Sequence, residues 1–118
     1  MRTEAVSVML LAQPLDLSMT TRGDFRVGIE ATNRGAAPID PGLDRARLLI
    51  NGEDSLAWSD AILNGHREAR WYRLPPGETV SMSWGSMGEI FFPRPGVYTL
   101  KLELGAIQSA PVVVHVRP

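Results

Sequence analysis

The sequence predicts an all-β protein, an antiparallel sandwich of about seven to nine short strands. Three observations carry this. In residues 74–104, Val80, Met82 and Trp84 alternate with Thr79, Ser81 and Ser83, a period of two that marks a strand with one buried face. A second run repeats the pattern, with Tyr98, Leu100, Leu102 and Leu104 on one side and Val97, Thr99, Lys101 and Glu103 on the other. Between such runs stand turns rich in proline and glycine, such as Pro75-Pro76-Gly77-Glu78 and Pro93-Arg94-Pro95-Gly96. Nowhere does the spacing predict an amphipathic helix.

The remaining elements follow in order. Residues 5–12 and 15–19 read as two short strands split by Pro14, which cannot donate to a ladder and suits a strand that changes sheets. Thr21-Arg22-Gly23-Asp24 makes a turn into a half-buried strand with Phe25, Val27, Ile29 and Ala31 inward and Arg26 and Glu30 outward. Arg34 to Pro38 forms the next turn, and Ile39-Asp40-Pro41-Gly42 another bend. Residues 46–50 enter Asn51-Gly52, a strong hairpin signal, with Ser55-Leu56-Ala57-Trp58 as the expected return arm. Residues 59–65 fit one helical turn ended by Gly65, and residues 68–74 fit a strand. Residues 109–116 supply the last strand.

Composition narrows the function classes. A chain of 118 residues fits one domain, 1–118, and is long enough to bury a core without a metal or disulfide. Twelve basic against 13 acidic residues leave a net charge of -1, which provides no field for nucleic acid or an anionic membrane. The absence of cysteine excludes disulfides, thiolate metal sites and a cysteine nucleophile, and suits a reducing compartment. The N-terminal apolar run is short, follows Glu4 and is broken by Ser7, unlike a signal peptide. A cytoplasmic location is therefore expected, with secretion or the periplasm as the lesser reading. No stretch reaches the length of a membrane span.

Tyr98 follows Pro95-Gly96 at the head of a strand, the position of the tyrosine corner of immunoglobulin-like folds. Asn33-Arg34-Gly35-Ala36-Ala37-Pro38-Ile39 resembles the N-x-G-x-x-P-I bend of many bacterial immunoglobulin-like domains. Joined to Trp58-Ser59, Leu74-Pro75-Pro76-Gly77-Glu78, Trp84 and Pro95-Gly96-Val97-Tyr98, it is similar in order to the intracellular proteinase inhibitor domain of bacilli. The resemblance implies an immunoglobulin-like sandwich and, more distantly, proteinase inhibition. One segment departs from that family: Asp40 to Arg45 stands where an aromatic-rich strand belongs.

Candidate catalytic groups are sparse. His66 and His115 have no metal-ligand partner at short spacing, and no zincin motif or nucleophile elbow occurs. His66 and Glu68 would share one face of an extended segment, a pairing that exposed strands produce freely. Arg22-Gly23-Asp24 spells an adhesion tripeptide but stands where a turn is expected anyway. No cofactor is implied.

Two surfaces are candidates for binding. Arg70, Trp71, Tyr72 and Arg73 interleave cations with aromatics, and on a strand Trp71 and Tyr72 would point to opposite faces. Either an aromatic is exposed there, or an arginine merely covers a ring. Residues 85–92 join two clear strands and carry Met87, Glu89, Ile90, Phe91 and Phe92. Sandwich loops of this kind often carry recognition, although Ile90 and one phenylalanine could instead close the core. The expected function is non-catalytic binding, with another protein as partner. A proteinase inhibitor is one alternative. A carbohydrate-binding module, needing Trp58 or Trp71 on a flat exposed face, is another. An uncovered edge strand could also pair two copies.

Overall fold

The computed structural model describes residues 6–64 and 67–118. The residues before Val6, Gly65 and His66 lie outside that range, and with them the readings of the N-terminal leader, of Gly65 as a helix stop and of the His66–Glu68 pair. Two sheets face each other. The smaller has the order β1-β3-β6, from β1 (Val6–Gln13), β3 (Arg26–Asn33) and β6 (Thr79–Trp84). The larger runs β2-β9-β7-β4-β5, from β2 (Asp16–Ser18), β9 (Val112–Arg117), β7 (Gly96–Leu104), β4 (Arg47–Ile50) and β5 (Glu53–Asp54). The short β8 (Ile107–Gln108) also pairs with β7.

The alternating residues point as their spacing predicts. Phe25, Val27, Ile29, Ala31, Val80, Leu100, Leu102, Val114 and Val116 are all buried between the sheets. Ile29 stands opposite both Leu10 and Met82, and Leu48 opposite Leu102. At Pro14 the chain leaves the smaller sheet and joins the larger as β2, the expected sheet switch. There β2 runs parallel to β9, the sole parallel pairing among the described strands. It adds one exception to the antiparallel expectation, because the crossing chain keeps its direction and meets a final strand that travels the same way. His115 points outward, as alternation with Val114 and Val116 requires.

Turn chemistry explains the connections. Asn51 and Gly52 both take positive φ, 52° and 85°, so the β4–β5 hairpin closes in two residues. Tyr98 donates its hydroxyl hydrogen to the Arg94 carbonyl at 2.5 Å and accepts from the Arg94 N–H, forming the expected corner. Asn33 is fully buried. Its side-chain amide donates to Ala37 and Leu74 carbonyls at 2.8 and 2.9 Å, and its oxygen accepts from Gly35 N–H. The bend that carries the family resemblance is thus a staple between two chain segments.

Three assignments differ from the sequence reading. The return arm of the hairpin is only Glu53–Asp54; Ser55 then caps a helix, α1 (Leu56–Ile62), accepting from the Trp58 N–H at 3.2 Å. Helical spacing places Trp58 and Ile62 one turn apart on the buried face. Residues 68–74 are not a strand. Ala69–Trp71 form a 3-10 turn, and pairing is confined to the bridge between Leu74 and Ile39. Residues 88–91 form a helical turn, α2 (Gly88–Phe91), packed on the 3-10 turn at Arg22–Asp24.

Candidate functional site

The first predicted surface breaks up on inspection of its side chains. Trp71 is 1% exposed, so it belongs to the core and contributes no outward face. Its indole N–H donates to Asp44 Oδ1 at 2.7 Å. Tyr72, half exposed, donates its hydroxyl to Asp44 Oδ2 at 3.0 Å, and Arg67 donates to Asp44 at 3.2 Å while stacking over the Trp71 ring. Partial burial pushes the Asp44 carboxyl upward, but these donors and the Arg67 charge outweigh it and hold the group below the usual aspartate range. The same bond raises the Tyr72 phenol above its ordinary value, since losing its proton would put a second negative charge beside Asp44.

Arg70 is bound elsewhere. It donates to Glu68 at 2.6 Å and to the Thr79 carbonyl at 2.9 Å, and Glu78 lies at 3.4 Å. Hydrogen bonding and attraction from Glu68 raise its already high pKa. Arg73 is exposed and separate from this network of Asp44, Arg67, Trp71 and Tyr72. Of the four residues named as a candidate surface, Trp71 lies in the core while Arg70, Tyr72 and Arg73 are on the outside, and an arginine, Arg67, covers the Trp71 ring. Trp58 is also fully buried, its indole N–H bonded to the Ala46 carbonyl at 3.0 Å. Neither Trp58 nor Trp71 supplies the flat exposed face that a carbohydrate-binding module needs.

The second predicted surface is partly inverted. Phe91 and Phe92 are both buried, at 4% and 0% exposure, while Ile90 is 65% exposed. Two adjacent rings fit because a helical turn ends between them, so they are not neighbours on a pleated strand. Phe25 meets Phe92 edge-on at 5.0 Å and Phe91 at 6.4 Å, and Phe92 packs on Tyr98. Gly88 permits the close approach, since a Cβ there would strike the Arg22 carbonyl. Arg22 in turn donates to the Phe92 carbonyl at 2.7 Å. The Arg-Gly-Asp tripeptide forms a 3-10 turn whose Arg22 anchors residues 88–92. Met87 is half-buried and Glu89 exposed.

Beside residues 90–93, between them and the β4–β5 hairpin, lies an open cleft of about 420 Å³. Its apolar lining comes from Ile50, Ile90, Phe91, Pro93 and Tyr98, and its polar lining includes Asn51 and Ser55. The opposite side carries the exposed carboxylates Glu53 and Asp54. Of these cleft residues, the sequence pointed only to the 85–92 segment. Glu53 and Asp54 escaped notice because a hairpin arm of two residues has no periodicity to read.

Among the described residues no group of three or more His, Asp or Glu side chains is arranged to hold a metal ion. No helix among them is long and apolar enough to cross a membrane.

No protein-family model matches the chain, and no curated protein matches it either. Among solved structures it is similar to the CARDB domain of a Pyrococcus furiosus protein, determined by solution NMR. That match has a TM-score of 0.54 and 14% identity over 96% of this chain and 94% of that one. It is also similar to part of a β-glucosidase from Erythrobacter marinus, with a TM-score of 0.52 and 16% identity. There the match takes in 94% of this chain but only 15% of the glucosidase. Likeness at such identities establishes the fold alone: the chain is an immunoglobulin-like β-sandwich.

Proposed function

We propose that the protein is a non-catalytic binding module whose partner is another protein, gripped at the cleft between the β4–β5 hairpin and residues 90–93. The observation that carries this reading is Ile90. It stands 65% exposed in the lining of an open cleft that also holds Ile50, Pro93 and Tyr98, while both of its aromatic successors are buried. An isolated exposed isoleucine would need no explanation, but one grouped with other apolar side chains in a cleft is where a partner side chain gains by leaving water. Glu53 and Asp54 on the opposite side favour a partner segment whose apolar anchor is flanked by arginine or lysine.

Proteinase inhibition is less well supported. An inhibitor presents a rigid loop outward, whereas residues 88–92 are drawn inward by Gly88, Arg22 and the phenylalanine cluster. The absence of cysteine is in keeping with a cytoplasmic setting.

The test is a fluorescence-anisotropy screen of labelled peptides carrying one aliphatic or aromatic anchor between arginines, with matched peptides carrying glutamates instead. Basic peptides should bind and acidic ones should not. Ile90→Asp or the pair Glu53→Lys, Asp54→Lys should weaken binding about tenfold or more. Binding that ignores all three changes, or inhibition of a protease panel without peptide binding, would overturn the reading.

A further inference from the structure

The smaller sheet has two outer strands, and its ladder bonds reveal which backbone groups face outward. Asn33 N–H donates to the Glu78 carbonyl, and Asn33 accepts from Gly77 N–H, so Asn33 turns its backbone toward the β6 side. Antiparallel partners exchange bonds at every second residue. It follows that Val27, Ile29 and Ala31 bond to β6, while Arg26, Gly28, Glu30 and Thr32 bond to β1. The register pairs those four with Gln13, Leu11, Met9 and Ser7. Val6, Val8, Leu10 and Ala12 must then direct their N–H and C=O groups away from the sheet. The same logic turns Thr79, Ser81 and Ser83 outward on β6, and the Arg70 bond to the Thr79 carbonyl agrees with it.

The two edges are treated differently. On β6 the Arg70 guanidinium sits across the end of the open side and is itself flanked by Glu68 and Glu78, a charged guard of the kind that discourages strand addition. On β1 no described residue donates to or accepts from the outward backbone of Val6, Val8, Leu10 or Ala12. The strand spans eight residues, VSVMLLAQ, with neither a charge nor a proline, and its exposed Met9 is 55% accessible. We propose that β1 pairs with β1 of a second copy, antiparallel about a two-fold axis at Met9, to make one continuous six-stranded sheet across the dimer, each copy supplying its three.

The strand is complementary to itself. In that register Val8 faces Leu10 of the second copy and Val6 faces Ala12, so each outward N–H and C=O gains a partner. On the solvent side Met9 meets Met9, and Ser7 meets Leu11, so no charge is placed opposite a like charge. A foreign strand could satisfy the same backbone, but this one needs no further component and its symmetry closes after two copies.

Sedimentation equilibrium over a wide concentration range tests the pairing, together with amide exchange at low and high protein concentration. The expected result is a monomer–dimer equilibrium in which the Val8, Leu10 and Ala12 amides slow at high concentration while Met9 and Leu11 do not change. Val8→Pro removes one outward donor and leaves the β3 ladder intact, and Met9→Lys places two cations face to face. Each should raise the dimer dissociation constant at least tenfold with the circular-dichroism spectrum unchanged. Ser81→Pro, the equivalent change on β6, should leave the dimer as it is. A monomer at every concentration overturns the proposal. So does a dimer that survives both β1 substitutions or is lost with Ser81→Pro.

Discussion

Asp44 shows how a single carboxylate can organise aromatic side chains that look, in sequence, like a binding patch. It accepts from Trp71, Tyr72 and Arg67, three groups brought together by a 3-10 turn from a different part of the chain. Because its pKa lies below the ordinary value, the ionised form is favoured in the folded protein. The stability this contributes is fully present above the unfolded-state pKa of about 3.9 and is lost as pH falls through the lower folded value. Asp44→Asn should therefore destabilise the protein at neutral pH, and the difference from wild type should shrink below about pH 4. Urea titrations at a series of pH values measure it. A difference that stays constant down to the acid limit would mean the carboxylate charge does not matter. Asn33 makes a related point, since a fully buried amide with its donors and acceptor in use is a structural residue, however much its motif suggests a family.

At the scale of elements, α1 is a seven-residue helix that depends on its cap and on two anchors. Ser55→Ala removes the acceptor for the Trp58 N–H and should cost about 1 kcal/mol. Ser59→Ala, whose hydroxyl bonds only within the helix, should cost less. Thermal melts of the two variants side by side decide this, and equal losses would mean that the Trp58 and Ile62 anchors alone hold the segment. This helix also marks the boundary of what was legible. The strands could be read because a pleated chain puts alternate side chains on alternate faces, and β3, β6 and β7 obey that over their full length. The rule fails wherever the chain leaves the pleat. Applied to Trp71-Tyr72 and to Phe91-Phe92 it required one residue of each pair to face out. Of the first pair Tyr72 does face out, but from the end of a 3-10 turn and not from a pleat, while at Phe91-Phe92, at the end of α2, both rings turn inward. Asn51-Gly52 suggested a long return arm, but two residues are enough to close the hairpin, and Ser55 then redirects the chain. The cleft was legible only on its 85–92 side because its other wall comes from that shortened arm.

For the molecule as a whole, the two layers stand or fall on the inward faces of the longest strands, and β7 offers the most direct comparison. Leu100 and Leu102 are fully buried, Leu102 opposite Leu48 and Leu100 opposite both Ile50 and Val112. Val97, on the same strand, is 59% exposed on the outer face. Truncating either leucine removes contacts between the sheets and leaves a void that rigid ladders on both sides cannot close, so each should cost about 2–5 kcal/mol. Val97→Ala removes a methyl pair that already meets water and should change stability by no more than about 0.5 kcal/mol. Chemical denaturation of the three variants gives the ratio directly, and a two-state transition with an unchanged slope would assign the losses to the folded packing. The contrast separates a sandwich from any arrangement in which β7 is buried on both faces, as in the parallel sheet of an α/β protein, where all three positions would be costly. Similar losses at Val97 and Leu102 would therefore remove the two-layer architecture, and with it the placement of the cleft at the end of the sandwich and of β1 at its edge.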